Sequence, residues 1–216
     1  MADNYLEKRY EEVFGKRGGS RSSGCSSPGK PSLDTLLLRN RSYRGYDKSY
    51  VVHQRQLDTI IAVNTKVASS INLQRLRFRP ITKGPDADTV NAHIRMGRAL
   101  PELHLPFPGT EPEAFIIVAA TCDENPGIDI DLGISLQSML LKAVELGLGG
   151  LIIRNFDIEE LQNELSLQLR PLAVLAIGRP AETIRLVPVH SGDDLRYWRE
   201  NEVHYVPKLV AEDLLF

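Results

Sequence analysis

Apolar residues along the chain follow two spacings, and the switches between them lay out its elements. Ala114-Phe115-Ile116-Ile117-Val118-Ala119-Ala120 is an unbroken apolar run, the pattern of a strand buried on both faces. Leu172-Ala173-Val174-Leu175-Ala176-Ile177 repeats it and stops at Gly178. Leu76-Arg77-Phe78-Arg79-Pro80-Ile81 alternates, which predicts a strand ending near Pro80. A short strand is expected at Leu151-Ile152-Ile153. Between these runs the spacing turns helical. Ser32 can cap a helix that starts at Leu33, carries Leu36, Leu37 and Leu38 into the core and ends at Arg39-Asn40. Residues 56–66 repeat apolar positions at Leu57, Ile60 and Ile61, and residues 88–100 and 158–165 also read as helices. Residues 133–146 differ. Ile134, Leu136, Met139, Leu140, Leu141, Ala143 and Val144 leave almost no polar side, so this helix needs cover all round, as a core helix or in a large subunit interface. Gly147-Leu148-Gly149-Gly150 ends it, and Asp129 and Asp131 just before it read as acids at a helix N-terminus.

Helices alternating with apolar strands indicate a layered α+β or α/β domain. Pro101, Pro106, Pro108 and Pro112 imply an extended loop before the second strand. At the front of the chain, residues 5–14 have the spacing of a short amphipathic helix. Residues 15–31 are rich in Gly and Ser and lack apolar anchors, which predicts a mobile loop. The expected organisation is an appended segment over 1–31 and one domain over 32–216.

Composition adds mostly exclusions. A hydrophobic fraction of 42% with 25% charged residues is ordinary for a globular protein, and a net charge of −2 gives no general attraction to nucleic acid or anionic membrane. Met1-Ala2-Asp3-Asn4-Tyr5-Leu6-Glu7 does not read as a secretory signal. Cys25 and Cys122 make neither a disulfide framework nor a metal quartet, which fits a reducing cytosol. His53, His93, His104, His190 and His204 never form an i, i+4 ligand pair, so no metal site is expected. Gly147 to Gly150 follow a helix instead of joining a strand to one, and so fail the context of a dinucleotide-binding turn. Asp123 and Glu124 beside Cys122 argue against a thiolate nucleophile.

Two polar clusters carry the candidate chemistry. Arg41, Ser42 and Arg44, within Arg41-Ser42-Tyr43-Arg44-Gly45-Tyr46, concentrate two guanidinium groups and a hydroxyl, a donor set suited to phosphate. Ser69, Ser70, Asn72 and Gln74, within Ser69-Ser70-Ile71-Asn72-Leu73-Gln74, offer hydroxyls and carboxamides that can pair with the edge of a polar heterocycle. Together they suggest a nucleotide-like cofactor. A solvated surface is the alternative.

With these clusters on loops between helices, the chain resembles the FMN-dependent nitroreductase family over about Leu33 to Lys208. Besides the two clusters, the resemblance rests on Asp131-Leu132-Gly133-Ile134-Ser135-Leu136-Gln137, Gly147-Leu148-Gly149-Gly150 and Ala176-Ile177-Gly178-Arg179-Pro180-Ala181-Glu182, in the family's order. It implies an α+β fold of three α/β/α layers, with a central mainly antiparallel sheet wrapped by helices, built as an intertwined homodimer with FMN at the subunit interface. It also implies that Arg41, Ser42 and Arg44 bind the FMN phosphate, joined by Lys208 from Val206-Pro207-Lys208. Ser69, Ser70, Asn72 and Gln74 would surround the ring, some of them from the partner subunit. The Arg154-Asn155 backbone would approach the flavin N5 edge. The implied activity is ping-pong transfer from NAD(P)H through the flavin to a small electron-poor acceptor such as a nitroaromatic, quinone or enone, with no catalytic side chain.

Three positions depart from the family pattern. Asn40 stands where an Arg often precedes the first motif's Ser, Arg75-Leu76 replaces a Pro-Trp, and Val210 replaces a second basic residue of the tail. The cation at Arg75 bears on the choice of acceptor. Reductive dehalogenation or flavin breakdown on the same fold stays open, with 93–110 as the candidate lid, as does a flavin-binding protein without turnover.

Overall fold

The computed structural model of the chain describes residues 31–97 and 100–216. The helix expected over 5–14 and the loop over 15–31, Pro31 apart, lie outside the described residues. Helices α1 (Leu33–Arg39), α2 (Gln54–Ile61), α3 (Pro85–His93), α4 (Pro126–Glu145) and α5 (Ile158–Glu164) surround a four-stranded sheet. Its strands are β1 (Leu76–Ile81), β2 (Ala114–Ala120), β3 (Gly149–Ile153) and β4 (Pro171–Gly178), in the order β1-β2-β4-β3 with every neighbour antiparallel.

The two unbroken apolar runs are the inner strands β2 and β4, and every residue of both is buried. The pleat sends alternate side chains to opposite layers. Ile116, Val118, Leu175 and Ile177 pack with Leu57 and Ile60 of α2 and with Leu132, Leu136 and Met139 of α4. Phe115, Ile117, Val174 and Ala176 pack with Val90 of α3 and Leu161 of α5 on the other face. The fold is α+β in three layers, helix–sheet–helix. Each fully buried Leu or Ile contributes about 1.5–3 kcal/mol through burial. No helix among the described residues is long and apolar enough to cross a membrane.

Several boundaries and faces differ from the pattern-based expectation. Helix α4 starts at Pro126, whose missing N–H costs nothing in the first turn, and Asn125 Oδ1 caps it by accepting from Gly127 N at 3.1 Å and Ile128 N at 3.3 Å. Asp129 therefore sits in the first turn, and Asp131 lies inside the helix, buried. Helix α3 begins at Pro85 and ends at His93, because Ile94 leaves the helix to bridge Phe156. Helix α2 gives way after Ile61 to a 3-10 turn over Ala62–Thr65.

Two helices are also less covered than their composition suggests. Ser32 caps α1, its hydroxyl accepting from Thr35 N at 3.2 Å, yet none of the helix is buried and Leu37 and Leu38 are exposed. On α4, Met139 and Leu140 face the core, while Ile130 is 64% exposed and Ile134 36%. That helix is not enclosed on all sides within this chain.

Beyond Gly178, where the pattern reading stops, a second sheet forms from β5 (Thr183–Val189), β6 (Trp198–Glu200) and β7 (Val203–Leu209), in the order β5-β7-β6. β5 and β7 are parallel, β6 and β7 antiparallel. Pro188 and Pro207 lie inside these strands, and proline in a run weakens any strand reading. Ile184 pairs with His204, and Pro188 with Lys208, which puts His204, Val206 and Lys208 on one face.

Candidate functional site

The segment Arg41–Tyr46 is held on the open edge of β3. Ser42 bridges Gly150 in parallel, and Tyr43 N donates to Gly150 O at 3.2 Å. The neighbouring glycines make room for its aromatic rings. A side-chain carbon on Gly149 would lie 2.5 Å from the Tyr43 ring, and one on Gly178 would lie 2.5 Å from the Tyr46 ring. Tyr46 is buried and its hydroxyl donates to Tyr43 O at 2.8 Å, closing the turn. Burial pushes the Tyr46 phenol well above its ordinary pKa.

Glu182, from the connection between β4 and β5, ties this segment to the second sheet. Its Oε1 accepts from Arg44 N, and from Gly45 N at 3.1 Å, while its Oε2 accepts from Arg199 Nη1 at 3.1 Å. The carboxylate is 6% exposed and the guanidinium 16%. Arg199 in turn lies over the Phe107 ring at 4.9 Å, which brings the 93–110 segment against the same sheet.

A cavity of about 390 Å³ opens between the two pieces, lined by Arg41, Ser42, Arg44, Tyr197, His204 and Lys208 among others. Arg41 Nη2 donates to Leu37 O and Arg44 Nη1 to Ser42 O at 3.1 Å, which fixes both side chains. Their Nε atoms are buried and have no hydrogen-bond partner among the described residues. Burial lowers the pKa of the Arg41 guanidinium, with Tyr43 working the other way. Two guanidinium groups, each with an unpaired Nε–H, lining one cavity with a hydroxyl and an ammonium form a donor set suited to a phosphate. The structure thus brings Arg41, Ser42, Arg44 and Lys208 to one cavity.

Ser69, Ser70, Asn72 and Gln74 lie elsewhere. Ser69 and Gln74 line a second cavity of about 320 Å³ with Arg75, Asp131 and Ser135. The loop is unusual: Ile71, Asn72 and Gln74 all have positive φ, at 41°, 57° and 49°. For a β-branched residue such as Ile71 that conformation costs about 1–3 kcal/mol, and its side chain is 86% exposed. Asp131 anchors the loop, its Oδ1 accepting from Ser70 N at 2.7 Å. Gln74 Nε2 donates to Asn72 Oδ1 at 3.1 Å, and Gln74 N to Ser69 Oγ at 3.3 Å. Arg75 Nη1 donates to Cys122 Sγ at 3.4 Å.

Arg154 and Asn155 follow β3 and line neither of these cavities. Arg154 pairs with Glu124 at 2.6 Å and Asp129 at 3.5 Å, and Asn155 O accepts from Arg95 N at 2.9 Å. Sequence reasoning missed Tyr197, just before β6, and Arg199 and His204, whose strands carry no clear pattern, as well as the tie made by Glu182. The only signal for Glu182 was its place in the Gly178-Arg179-Pro180-Ala181-Glu182 motif.

The sequence model of the Nitroreductase family matches residues 37–179, so the second sheet lies beyond the matched region. Solved structures of similar fold include a nitroreductase family protein from Clostridium difficile 630, at 22% identity over 68% of this chain and 83% of that one, TM-score 0.54. The FMN and NADPH-dependent nitroreductase NfnB from Sphigopyxis sp. strain HMH is 19% identical over 70% and 89%, TM-score 0.58. A protein described as a nitroreductase in complex with FMN, from Desulfovibrio desulfuricans, is 24% identical over 73% and 89%, TM-score 0.56. No curated protein matches the chain.

Proposed function

The chain belongs to the nitroreductase family, and from that membership we propose that it is an FMN-dependent NAD(P)H oxidoreductase acting on a small electron-poor acceptor. The observation that carries this reading is the pair of buried, unpartnered N–H groups, Arg41 Nε and Arg44 Nε, at a cavity shared with Ser42 and Lys208. Arg41, Ser42, Arg44 and Lys208 hold the phosphate of FMN. Ser69, Ser70, Asn72 and Gln74 border its ring, with Asp131 keeping their loop in its strained shape. The Arg154-Asn155 backbone serves the reactive edge. The bound flavin supplies the hydride and electron chemistry, and the protein supplies binding, orientation and electrostatics.

Within one copy the phosphate cavity and the ring loop are separate. The reading therefore includes a homodimer, in which the exposed Ile130 and Ile134 flank of α4, together with Leu37 and Leu38 of α1, packs on a second copy. Residues 32–216 form the flavin-binding domain and 1–31 an appended segment. Arg75, at the cavity of Gln74, favours acceptors bearing negative charge.

The deciding experiment is an anaerobic titration of the purified protein with NADH and with NADPH. Uptake of FMN followed by bleaching of its visible absorption, and recovery of colour on adding a nitroaromatic or quinone, is the expected result. Failure to hold FMN would sink the reading. FMN that is held but never bleached would leave a flavin-binding protein without turnover.

A further inference from the structure

His204 has no assigned role in the reading above, yet it occupies the phosphate cavity. It sits in β7, opposite Arg199 of β6 and Ile184 of β5, and is 3% exposed. Its ring lies 4.9 Å from that of Tyr197, and the Arg44 guanidinium lies 5.3 Å from the same Tyr197 ring, all three residues lining the cavity. No hydrogen bond joins the imidazole to another described residue. Arg41, Arg44 and Lys208 line the cavity, Arg199 lies across the strand pair, and among the described residues Glu182 is the carboxylate that acts on the imidazole.

We propose that His204 is a ligand for a phosphate monoester and binds it as imidazolium, so that entry of the dianion carries one proton into the cavity. The inference rests on the flavin-phosphate reading. Without an anion, a proton on His204 would add a buried positive charge to a cluster already rich in cations. Burial, and next Arg44, keep its pKa below the ordinary histidine value; Glu182 opposes them and Arg199 reinforces them. A dianion reverses that balance, because two negative charges beside a buried imidazole favour its charged form. The proton comes from solvent and no covalent bond changes. The same logic selects the ligand class: a monoester brings two charges, each phosphate of a dinucleotide only one, so the monoester gains more from the protonated ring.

The test is calorimetry of FMN binding to the full chain at pH 7 in two phosphate-free buffers of different ionisation enthalpy. Wild type should take up close to one proton per FMN, and its affinity should fall by up to tenfold per pH unit as the pH rises above that. His204→Gln should take up none and show a flat profile. Riboflavin, which lacks the phosphate, should bring no proton to either protein. The phosphate's own ionisation cannot mimic the result, since binding to cations releases protons from it. FMN binding without uptake in wild type, or with equal uptake in His204→Gln, overturns the inference and leaves the flavin reading standing. Absence of both FMN and riboflavin binding overturns that reading and the inference together. Should His204→Gln fail to fold, NMR of wild type decides: inorganic phosphate should raise the titration midpoint of the His204 Cε1–H, and an unmoved midpoint overturns the proposal.

Discussion

Glu182 and Arg199 form a partly buried ion pair at 3.1 Å, and the same carboxylate holds the backbone of Arg44. The Arg41–Tyr46 segment and the second sheet are thus joined through one side chain. Removing either member leaves a partly buried charge without its ion partner, so Glu182→Ala or Arg199→Ala should each cost about 1–3 kcal/mol in urea unfolding. The double variant should cost clearly less than the sum. Additive losses would mean that the two groups act independently.

Replacing Arg41 and Arg44 with Ala removes two charge-assisted donors, each contributing about 1.5–3 kcal/mol. FMN affinity should therefore fall at least a hundredfold, while riboflavin affinity stays within a few-fold. Equal losses for both ligands would locate the arginines away from the phosphate.

Changing Ile134 to Asp on the exposed flank of α4 should weaken self-association by about 2–3 kcal/mol, a rise in the dimer dissociation constant of roughly 30-fold to 150-fold, without unfolding the chain. Met139 to Asp is the contrasting variant. That side chain is fully buried against the sheet, so its replacement should unfold the protein outright. Sedimentation separates these outcomes, and an Ile134→Asp protein that stays dimeric would move the interface elsewhere.

His204 also predicts how stability depends on acid. Its pKa is lowered in the fold from an ordinary value of 6.5, chiefly by burial. Below about pH 6.5 the unfolded chain binds a proton that the fold resists, so stability falls as pH drops through that range. The wild-type loss should exceed that of His204→Gln by up to about 1.4 kcal/mol per pH unit. Parallel profiles for the two proteins would show that another group carries the acid response.

Arg75→Leu should remove any preference for anionic acceptors, read as the ratio of kcat/KM for a carboxylated and a neutral nitroaromatic. The guanidinium also donates to Cys122, so Cys122→Ala is the control that should leave the ratio unchanged. An unaltered ratio in Arg75→Leu would remove Arg75 from acceptor selection.

The inner strands were legible because Ala114–Ala120 and Pro171–Gly178 are buried on both faces, which demands unbroken apolar sequence. Helix α4 was legible in its body but not at its start, where Pro126, Gly127 and two acids hide a capped first turn. Leu37, Leu38 and Ile130 show a different limit. Apolar spacing says that a side chain seeks cover, not whether its own chain provides it. The two donor-rich clusters of the candidate site could be located from residue chemistry, as runs of guanidinium, hydroxyl and carboxamide side chains. His204, Tyr197 and Arg199 could not, because His204 is placed by the parallel pairing of two proline-containing strands and Arg199 by a three-residue strand beside them, with Tyr197 just before it.

Gly149 and Gly178 touch no part of the cavity, yet they determine where its arginines stand. Each leaves a hollow in the sheet into which a tyrosine ring settles, and those two tyrosines seat the segment that carries Arg41 and Arg44. The grip is set by subtraction, through atoms the sheet does not have. A single methyl at position 178 would lift Tyr46 and tilt the whole donor array without altering any of its members. Such a variant keeps every residue that lines the cavity and changes the cavity itself.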